Sequence, residues 1–400
     1  MKKILTVPPE CIYPTQDNIE GNLVISKGDS IVKSEDTKYM VIELLGVGTF
    51  GQVFRCVSNE GEEVAIKVVK SINKYFQYGM NEVRILKRLR ECGMTERFAV
   101  LNDAFVYKQH LCIVEEVLGV NLYELTKIFR FRGLNYITLK TFLRQILEGL
   151  HELHSQGIVH CDVKPENVLI SDVLRHKVKL VDFGSSITRT LSSVFYVQSR
   201  YYRAPEVILG IPYSSSIDMW SFGCLAYELF TGRPLFPGTD NKDQIIRIHE
   251  FFSEGLPLFM LEHGENADLY FDEEAMKHME NNTNKFTQTK MIEKIYEKIG
   301  SEEDHDAFID LLLKSLNPSY LERALPHTLL NHPFFKANVE SDEYPDVARV
   351  GARPISEEVV EKNRKMSLCE LNKQYFKEDI YKNTRKGSLF DPEQENRFNR

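Results

Sequence analysis

The fold is decided by the stretch His160-Cys161-Asp162-Val163-Lys164-Pro165-Glu166-Asn167, which is followed fifteen residues after its asparagine by Asp182-Phe183-Gly184. Two short apolar runs between these motifs predict a pair of strands. Such a hairpin can present Asp162, Asn167 and Asp182 to a single point. Phosphoryl transfer from a metal-bound nucleotide uses this set, because one carboxylate orients a hydroxyl group while an amide and a second carboxylate hold Mg²⁺. The alternative, that the motifs are unrelated loop and turn residues, is disfavoured by their order and spacing.

The bulk composition is typical of a globular protein and excludes some classes of function. The 400 residues allow one large domain or two medium ones. A hydrophobic content of 42% and a charged content of 27% are ordinary for soluble proteins. The net charge of −8 argues against a protein that binds nucleic acid or a membrane surface, since both need a positive face.

Cysteine usage and the absence of long apolar runs favour an intracellular location. The seven cysteines are odd in number, scattered and never in CxxC spacing, so we expect reduced thiols and no metal site. Pro8-Pro9 interrupts the chain before the apolar region of a signal peptide develops. The longest near-apolar run, 219–230, is too short to cross a bilayer. We therefore expect the protein in the cytoplasm, the nucleus or both, without a membrane partner.

Changes in periodicity divide the chain into four segments. Residues 1–36 are polar with little periodicity and predict a loosely packed N-terminal arm. Residues 37–118 alternate β-rich runs with Gly-containing turns, which is typical of an antiparallel meander. Residues 119–336 have helical periodicity, with a charged insertion of surface helices and loops at about 262–305. Residues 337–400 are dense in charge and predict a mobile C-terminal tail.

A glycine-rich motif near the start of the β-rich segment predicts a lid over a triphosphate. A GxGxxG turn by itself is weak evidence, because dinucleotide-binding folds also carry one. In those folds a helix follows the turn, whereas here a strand with alternating apolar residues follows. Glycine lets backbone amides approach phosphate closely, which suits a flap between two strands. The motif is Gly46-Val47-Gly48-Thr49-Phe50-Gly51-Gln52-Val53.

Lys67 and Glu82 are predicted to form an ion pair behind this flap. Lys67 shares one face of an apolar strand with Ala65, downstream of the glycine turn. Glu82 lies in a helix predicted near 78–90, on the same face as the leucines one and two turns later. An acid on an apolar stripe is costly unless it is paired, so Lys67 is its expected partner. A helix-edge glutamate that points to water is the alternative.

The residues of the opening motifs fit distinct catalytic roles. Asp162 is the candidate general base or hydroxyl-orienting group, and Lys164 beside it can offset charge on the moving phosphoryl group. Asn167 and Asp182 offer oxygen ligands to Mg²⁺, a hard cation that prefers them.

These elements, in this order, resemble the signature set of protein kinases over roughly residues 39–336. The resemblance implies an α+β fold of two lobes: a small antiparallel sheet with one helix, and a larger, mainly helical lobe. It implies ATP and Mg²⁺ as cofactors, protein substrates and a monomer. Phe183 would pack between the lobes, and Glu206 would form a buried structural pair with Arg323. The resemblance also assigns Ala65 and Leu169 to the nucleotide site.

Finer features resemble the dual-specificity tyrosine-regulated kinases, and most closely their Yak-type branch. His160-Cys161-Asp162 stands where most kinases have His-Arg-Asp, and the run 196–206 resembles the family's activation segment. The family implies phosphorylation of Ser/Thr next to proline and autophosphorylation of Tyr196. Because Cys161 cannot dock an activation-loop phosphate, Arg200 and Arg203 are the candidate clamp for phosphorylated Tyr196. Ordinary surface arginines are the alternative.

Glu115 departs from the kinase pattern. Alignment with the strand before the hinge puts it where a large apolar gatekeeper usually stands, with backbone groups of Glu116 and Leu118 offered to adenine. A carboxyl group at this position can ionise against Lys67, stay protonated through desolvation, or turn toward solvent or a local amide. Capture of Lys67 would compete with Glu82. A kinase-fold scaffold with weak or no catalysis is therefore the rival interpretation.

The C-terminal tail repeats R-K-x-S-L around Ser367 and Ser388, which suits a phosphopeptide reader, but chance is the stronger explanation for so short a motif in a charge-rich tail. A small-molecule kinase is disfavoured because the complete Ala204-Pro205-Glu206 segment and the helix start at Asp218-Met219-Trp220 belong with peptide substrates.

Overall fold

The computed structural model describes residues 17–18, 20–188, 197–282, 285–298 and 302–336. Within these ranges the first lobe is built on one antiparallel sheet of six strands in the order β1-β2-β3-β4-β6-β5. A single helix, α1 (Asn73–Glu91), packs on one face of this sheet. The strands are β1 (Ser30–Val32), β2 (Lys38–Val47), β3 (Gly51–Ser58), β4 (Glu63–Val69), β5 (Leu101–Tyr107) and β6 (His110–Glu115).

The register of the sheet positions the glycine-rich turn over Lys67. The turn joins β2 to β3, and Val53 on β3 pairs with Lys67 on β4. Gly51 has no room for a side chain, because an added Cβ would lie 2.2 Å from the Val68 carbonyl oxygen. Glycine is thus required where β3 leaves the turn, because only glycine lets β3 and β4 approach this closely.

The N-terminal segment differs from the sequence prediction. The described part of residues 1–36 does not form a loosely packed arm, because Leu23, Ile25 and Ile31 are buried against the sheet and β1 pairs with β2. The Asp17 carboxylate also accepts hydrogen bonds from Ser71 Oγ (2.6 Å) and His110 Nε2 (2.9 Å). The apolar residues here are too few and too irregularly spaced to show a helix or strand period. They are buried by a sheet that later residues form, so the local sequence does not predict their burial.

Helix α1 begins five residues earlier than predicted and buries a narrow stripe. Gly79 permits its close approach to the sheet, because an added Cβ would lie 2.8 Å from a Leu111 methyl carbon. Glu82 is on this stripe and is only 2% exposed. The apolar residues of the stripe are Ile85, Leu86 and Leu89.

The second lobe is mainly helical and surrounds a buried central helix. Helix α5 is buried from solvent on nearly all sides, as its apolar sequence predicts. The apolar face of α3 packs against it. The helices are α2 (Leu122–Ile128), α3 (Tyr136–Ser155), α4 (Pro205–Leu209), α5 (Ser216–Thr231), α6 (Asn241–Phe251), α7 (Leu258–His263), α8 (Ala267–Tyr270), α9 (Glu273–Asn281), α10 (Gln288–Tyr296), α11 (Glu302–Ser315), α12 (Pro326–Leu330) and α13 (Pro333–Lys336).

Two short strand pairs in this lobe carry the motifs that opened the sequence analysis. The first pair connects the predicted catalytic loop to the segment after Gly184, and the second is the predicted hairpin between the two motifs. The strands are β7 (Ile158–Val159) with β10 (Ile187–Thr188), and β8 (Val168–Asp172) with β9 (Lys177–Leu180).

The charged insertion is helical, as expected, but it is not confined to the surface. Met291 and Ile295 of α10 are fully buried in the main core, and Met279 of α9 packs with Ile246 of α6. In the described ranges no helix has the length and apolarity needed to span a membrane. Residues 337–400, with Ser367 and Ser388, lie outside the described residues.

Candidate active site

Lys67 lies at the centre of the site and binds two carboxylates. Its Nζ is 2.7 Å from Glu82 Oε2 and 2.9 Å from Asp182 Oδ1. Burial opposes the charge of Lys67, but Asp182 and Glu82 together raise its pKa above the usual value. The predicted Lys67–Glu82 pair is therefore present, and the alternative of a solvent-facing Glu82 is excluded by its burial.

The two carboxylates respond differently to this shared cation. Burial raises the pKa of Glu82, against the attraction of Lys67. Burial also acts on Asp182, but there the ammonium group of Lys67 prevails and lowers the pKa. Asp182 adopts a left-handed backbone conformation, with φ of 64°. This conformation is uncommon outside glycine and turns the carboxylate toward Lys67.

The catalytic-loop carboxylate Asp162 is held by four hydrogen bonds. Its Oδ2 accepts bonds from Lys164 Nζ (2.7 Å) and Asn167 Nδ2 (3.0 Å). Its Oδ1 accepts bonds from the backbone N–H (3.2 Å) and the hydroxyl (2.8 Å) of Ser199. Lys164 Nζ also donates to Ser199 Oγ at 3.0 Å. The orientation of Asp162 is thus fixed by its own loop and by the segment that carries Arg200.

Asn167 and Asp182 are brought together by the hairpin between them. The Val181 N–H donates to the Asn167 carbonyl at 3.0 Å, which places Asp182 beside Asn167. Because the Asn167 amide donates to Asp162, its Oδ1 is turned away and accepts no bond from the described residues. Asp182 binds Lys67 through Oδ1, and its Oδ2 likewise accepts no hydrogen bond from the described residues. Amide and carboxylate oxygen atoms are ligands that suit Mg²⁺, a hard cation.

Asp218, at the start of α5, binds two backbone N–H groups of the catalytic loop. Its Oδ2 accepts bonds from the His160 N–H (2.8 Å) and from His154 Nε2 (2.9 Å), and its Oδ1 from the Cys161 N–H (2.9 Å). Cys161 has φ of 65°, so the loop is bent sharply there. Sequence reasoning gave Asp218 no role in the site. The available signal was a carboxylate at the start of a helix that is apolar on nearly every side.

Phe183 is fully buried between the two lobes, as the resemblance implied. Its ring lies 5.8 Å from that of Phe98 and 5.2 Å from the His160 imidazole, measured between centroids. Its backbone amide lowers the pKa of the Glu82 carboxyl group, against the larger effect of burial. Phe183 therefore packs between the first lobe and the catalytic loop, directly after Asp182.

The glycine-rich turn and the hinge frame a cleft in front of Lys67. The Phe50 ring of the turn lies 5.8 Å from Lys67 Nζ and 5.2 Å from the Tyr78 ring. At the hinge, Glu116 Oε1 accepts bonds from Lys179 Nζ (2.5 Å) and the Val100 N–H (2.9 Å). Predicted nucleotide contacts on this frame are Gly46, Val47, Gly48, Thr49, Gly51 and Val53 on the turn, Ala65 on β4, Leu118 at the hinge and Leu169 on β8.

Glu115 lies at the rear of this cleft, and one oxygen of its carboxyl group has no hydrogen-bond partner among the described residues. On β6 it pairs with Ala65 on one side and Leu101 on the other, and its Oε1 is buried and unbonded within the described residues. Burial and the nearby Glu82 carboxylate raise the pKa of Glu115 to about 8, although Lys67 acts against the shift. Of the states that the sequence left open, the structure has a buried carboxyl group that is not bonded to Lys67. A pKa shifted in this direction favours the protonated form of the buried group.

The predicted tyrosine clamp is only partly within the described residues. Tyr196 lies outside them. Arg203 donates to the Val197 carbonyl (2.9 Å), the Gln198 carbonyl (2.6 Å) and Asn241 Oδ1 (2.8 Å), and so holds the segment just after Tyr196. Arg200 is exposed and donates to the Thr239 carbonyl at 2.5 Å.

Comparison with known proteins agrees with this geometry. Residues 39–335 match the family described as Protein kinase domain. The chain is 53% identical over 342 residues to the probable dual specificity protein kinase YAK1 homolog of Encephalitozoon cuniculi, covering 86% of this chain and 84% of that protein. It is 37% identical over 350 residues to the dual specificity protein kinase YAK1 of Saccharomyces cerevisiae, covering 86% of this chain but only 42% of that protein.

A human protein extends the comparison to the wider group. The chain is 34% identical over 360 residues to human dual specificity tyrosine-phosphorylation-regulated kinase 4, covering 87% of this chain and 66% of that protein. Fold, site and relatives together define a bilobal protein kinase, and the chain belongs to the protein kinase family. Within it the chain is a dual-specificity kinase of the Yak1 type, an enzyme that phosphorylates serine and threonine in proteins. The expected resemblance is confirmed.

Proposed function

We propose that this kinase uses Asp162, Lys67, Asn167 and Asp182 to transfer the γ-phosphoryl group of ATP to serine or threonine residues that precede proline. We further propose that autophosphorylation of Tyr196 activates it. The observation that carries the proposal is the connected geometry of the cleft. Asp162 is bonded to Asn167, Asn167 is bonded to the residue before Asp182, and Asp182 is bonded to Lys67.

Each side chain then has a defined task. Asp162 receives and orients the substrate hydroxyl, since its carboxylate is already fixed by four donors. Lys164, 2.7 Å from Asp162, offsets negative charge as the hydroxyl oxygen attacks. Asn167 and Asp182 would hold Mg²⁺, which neutralises charge on the phosphates when it is bound. Lys67, held by Glu82, is directed at the same phosphates.

A preference for proline after the phosphorylated residue is supported by the backbone at Gln198. This residue has φ of 69°, and its carbonyl accepts a 2.6 Å bond from Arg203. The Gln198 side chain is also fixed, by bonds to the Ile217 carbonyl and the Ala204 N–H. A substrate backbone N–H that approaches here would find the carbonyl already engaged. Proline lacks an N–H and therefore loses nothing on binding.

The Tyr196 proposal rests on the position and charge of two arginines. Arg203 holds the segment that immediately follows Tyr196, and Arg200 is exposed beside it. Their present acceptors include three neutral backbone carbonyls. A phosphate group at Tyr196 would compete well for both guanidinium groups, because charge-assisted bonds are stronger than bonds between neutral groups.

The rival interpretation, a scaffold in which Glu115 captures Lys67, finds no support in the geometry. Lys67 binds Glu82 and Asp182, and the Glu115 carboxyl group makes no hydrogen bond to it. Glu115 is then a determinant of what fits at the rear of the cleft rather than an inhibitor of catalysis.

A peptide-array assay with Mg²⁺ and ATP tests the proposed function. The array contains matched peptides with Ser-Pro, Ser-Ala and alanine in place of serine. We expect Ser-Pro peptides to be labelled most strongly, and we expect Asp162→Asn to reduce kcat by about 10²- to 10⁴-fold. The Asp172→Asn variant, at the end of β8 and away from the cleft, is the control. Equal labelling of Ser-Pro and Ser-Ala peptides would contradict the proline preference. Unchanged turnover in Asp162→Asn would contradict the catalytic assignment.

A further inference from the structure

Asn81 lies on α1 immediately before Glu82, and its side chain faces backbone carbonyls of the segment that follows Asp182. Its Nδ2 is 2.8 Å from the Ser186 oxygen, 3.3 Å from the Gly184 oxygen and 3.4 Å from the Phe183 oxygen. Three carbonyl groups separated from Asn81 by more than a hundred residues thus converge on one amide.

The orientation of this amide is fixed by a neighbour on the same helix. Arg84 Nη1 lies 3.4 Å from Asn81 Oδ1, so the oxygen faces the guanidinium group and the NH₂ group faces the carbonyls. Carbonyl oxygens only accept hydrogen bonds, and an asparagine NH₂ group supplies two donor hydrogens. Acceptors that converge away from bulk water need a donor, and Asn81 is the side chain placed to provide it.

Adjacent residues of α1 face the backbone of Phe183. Asn81 Nδ2 lies 3.4 Å from the Phe183 carbonyl oxygen, and the Phe183 amide lowers the pKa of Glu82 against the effect of burial. Gly184 lies close to the same helix, because an added Cβ would be 3.7 Å from the Tyr78 carbonyl oxygen. The segment therefore lies against α1 at Phe183, Gly184 and Ser186.

The same segment is attached to the catalytic loop at its far end. Ser186 Oγ donates to the His160 carbonyl at 3.0 Å, and the Ser186 N–H donates to the Phe183 carbonyl at 3.1 Å. Between these attachments Asp182 keeps its left-handed conformation. A conformation that is unfavourable outside glycine persists only where the surroundings hold it.

We propose that Asn81 is a positioning residue that couples α1 to the segment carrying Asp182, so that Lys67, Glu82 and Asp182 assemble as one unit. Asn81 does not touch the nucleotide and acts through the placement of Asp182. The inference rests on the proposed role of Asp182 as a Mg²⁺ ligand.

The test compares Asn81→Leu with Gln77→Leu, the same amide-to-leucine change one turn earlier on the exposed face of α1. The first measurement is the thermal shift caused by ATP, once with Mg²⁺ and once with EDTA. We expect Asn81→Leu to keep the shift in EDTA and to lose most of the additional shift that Mg²⁺ gives. We also expect its apparent Mg²⁺ requirement for turnover to rise on the order of tenfold, as for the loss of a hydrogen-bonded support.

Further arms separate positioning from general damage to the fold. Asn81→Gln retains a donor and should restore part of the Mg²⁺-dependent shift, while Gln77→Leu should match the wild type. Asn81→Ala replaces Asn81→Leu if the latter does not fold. An Asn81 variant with a normal Mg²⁺-dependent shift and normal Mg²⁺ requirement would overturn the inference, even if its melting temperature were lower. Wild-type protein without any Mg²⁺-dependent shift would instead overturn the proposed function.

Discussion

Arg323 donates two hydrogen bonds to Glu206 in the interior of the helical lobe, at 2.6 Å from Nη1 to Oε1 and 3.0 Å from Nη2 to Oε2. Both side chains are wholly inaccessible to solvent. The guanidinium group also donates to the carbonyls of Ser216 and Asn317. This predicted structural pair therefore joins the end of the activation segment to the start of α5 and to the loop after α11.

Removal of the arginine should be strongly destabilising. We expect Arg323→Met to reduce the free energy of unfolding by about 3–5 kcal/mol, because the buried Glu206 carboxylate loses its compensating charge. Chemical denaturation measures this change. Lys87→Met is the control, since Lys87 and Glu91 form an exposed pair at 4.0 Å and its loss should change stability by less than about 1 kcal/mol. A similarly small effect for Arg323→Met would refute the structural role.

Titration of Glu115 should make stability fall as pH rises. The pKa of Glu115 is raised from its ordinary 4.5 to about 8, so the folded state holds a proton that the unfolded state releases across this interval. Stability is fully retained below the lower value and falls by up to about 1.4 kcal/mol per pH unit toward the upper one. Glu115→Gln removes this titration and should become progressively more stable than the wild type from pH 5 to pH 8.

A second variant is needed because Glu228 titrates over a similar pH range to Glu115. Burial raises the pKa of Glu228 to about 7, although its bond from the Tyr202 hydroxyl acts against the shift. Denaturation curves at several pH values for wild type, Glu115→Gln and Glu228→Gln separate the two contributions. A stability difference between Glu115→Gln and wild type that does not vary with pH would show that Glu115 is already ionised when folded.

Glu115 should also decide which inhibitors enter the rear of the cleft. An apolar substituent placed there meets a carboxyl oxygen that has no hydrogen-bond partner in the described part of the chain, and an apolar group cannot supply one. Glu115→Met has a side chain of similar length without the polar atoms. We expect it to bind an ATP-competitive compound with an apolar rear substituent about tenfold more tightly than the wild type. Competition binding with the same compound lacking the substituent is the control, and equal gains for both compounds would count against the idea.

Activation through Tyr196 should be visible in protein made in bacteria, where autophosphorylation is the expected source of phosphotyrosine. We expect Tyr196→Phe to lose most of its activity, on the order of tenfold or more, because Arg200 and Arg203 lose their proposed charged ligand. Tyr201→Phe, an exposed tyrosine in the same segment, is the matched control. Mass spectrometry of the wild type should find phosphate on Tyr196. Full activity of Tyr196→Phe would contradict the proposed binding of phosphorylated Tyr196 by Arg200 and Arg203.

The sequence predicted the parts of the site that follow from local periodicity and short spacing. Glu82 could be paired with Lys67 because a buried acid on a helical stripe needs a cation, and the hairpin could be expected to join Asn167 to Asp182. Each inference used residues close together in the chain or one strong physical requirement. The Lys67–Glu82 ion pair is present in the structure, and the hairpin joins Asn167 to Val181, the residue before Asp182.

Other parts could not be predicted because they depend on contacts between distant segments. Asp218 binds backbone amides 57 and 58 positions away, and Asn81 faces carbonyls more than a hundred positions away. Backbone groups carry no side-chain signature, so the sequence does not identify which amides or carbonyls such a side chain binds. The burial of Leu23 and Ile31 similarly depends on a sheet formed by later residues. Whether the Glu115 carboxyl group binds Lys67 depends on its side-chain rotamer, which the sequence does not determine.

The central claim is that Asp182 belongs to one metal-nucleotide site with Lys67, Asn167 and Asp162. The most direct measurement is transfer of labelled γ-phosphoryl from ATP to a Ser-Pro peptide across a Mg²⁺ titration, by wild type and by Asp182→Asn. We expect wild-type transfer to saturate with Mg²⁺ and Asp182→Asn to lose at least about 10²-fold in rate while remaining folded. Transfer at the wild-type rate by Asp182→Asn, with an unchanged Mg²⁺ dependence, would contradict the claim.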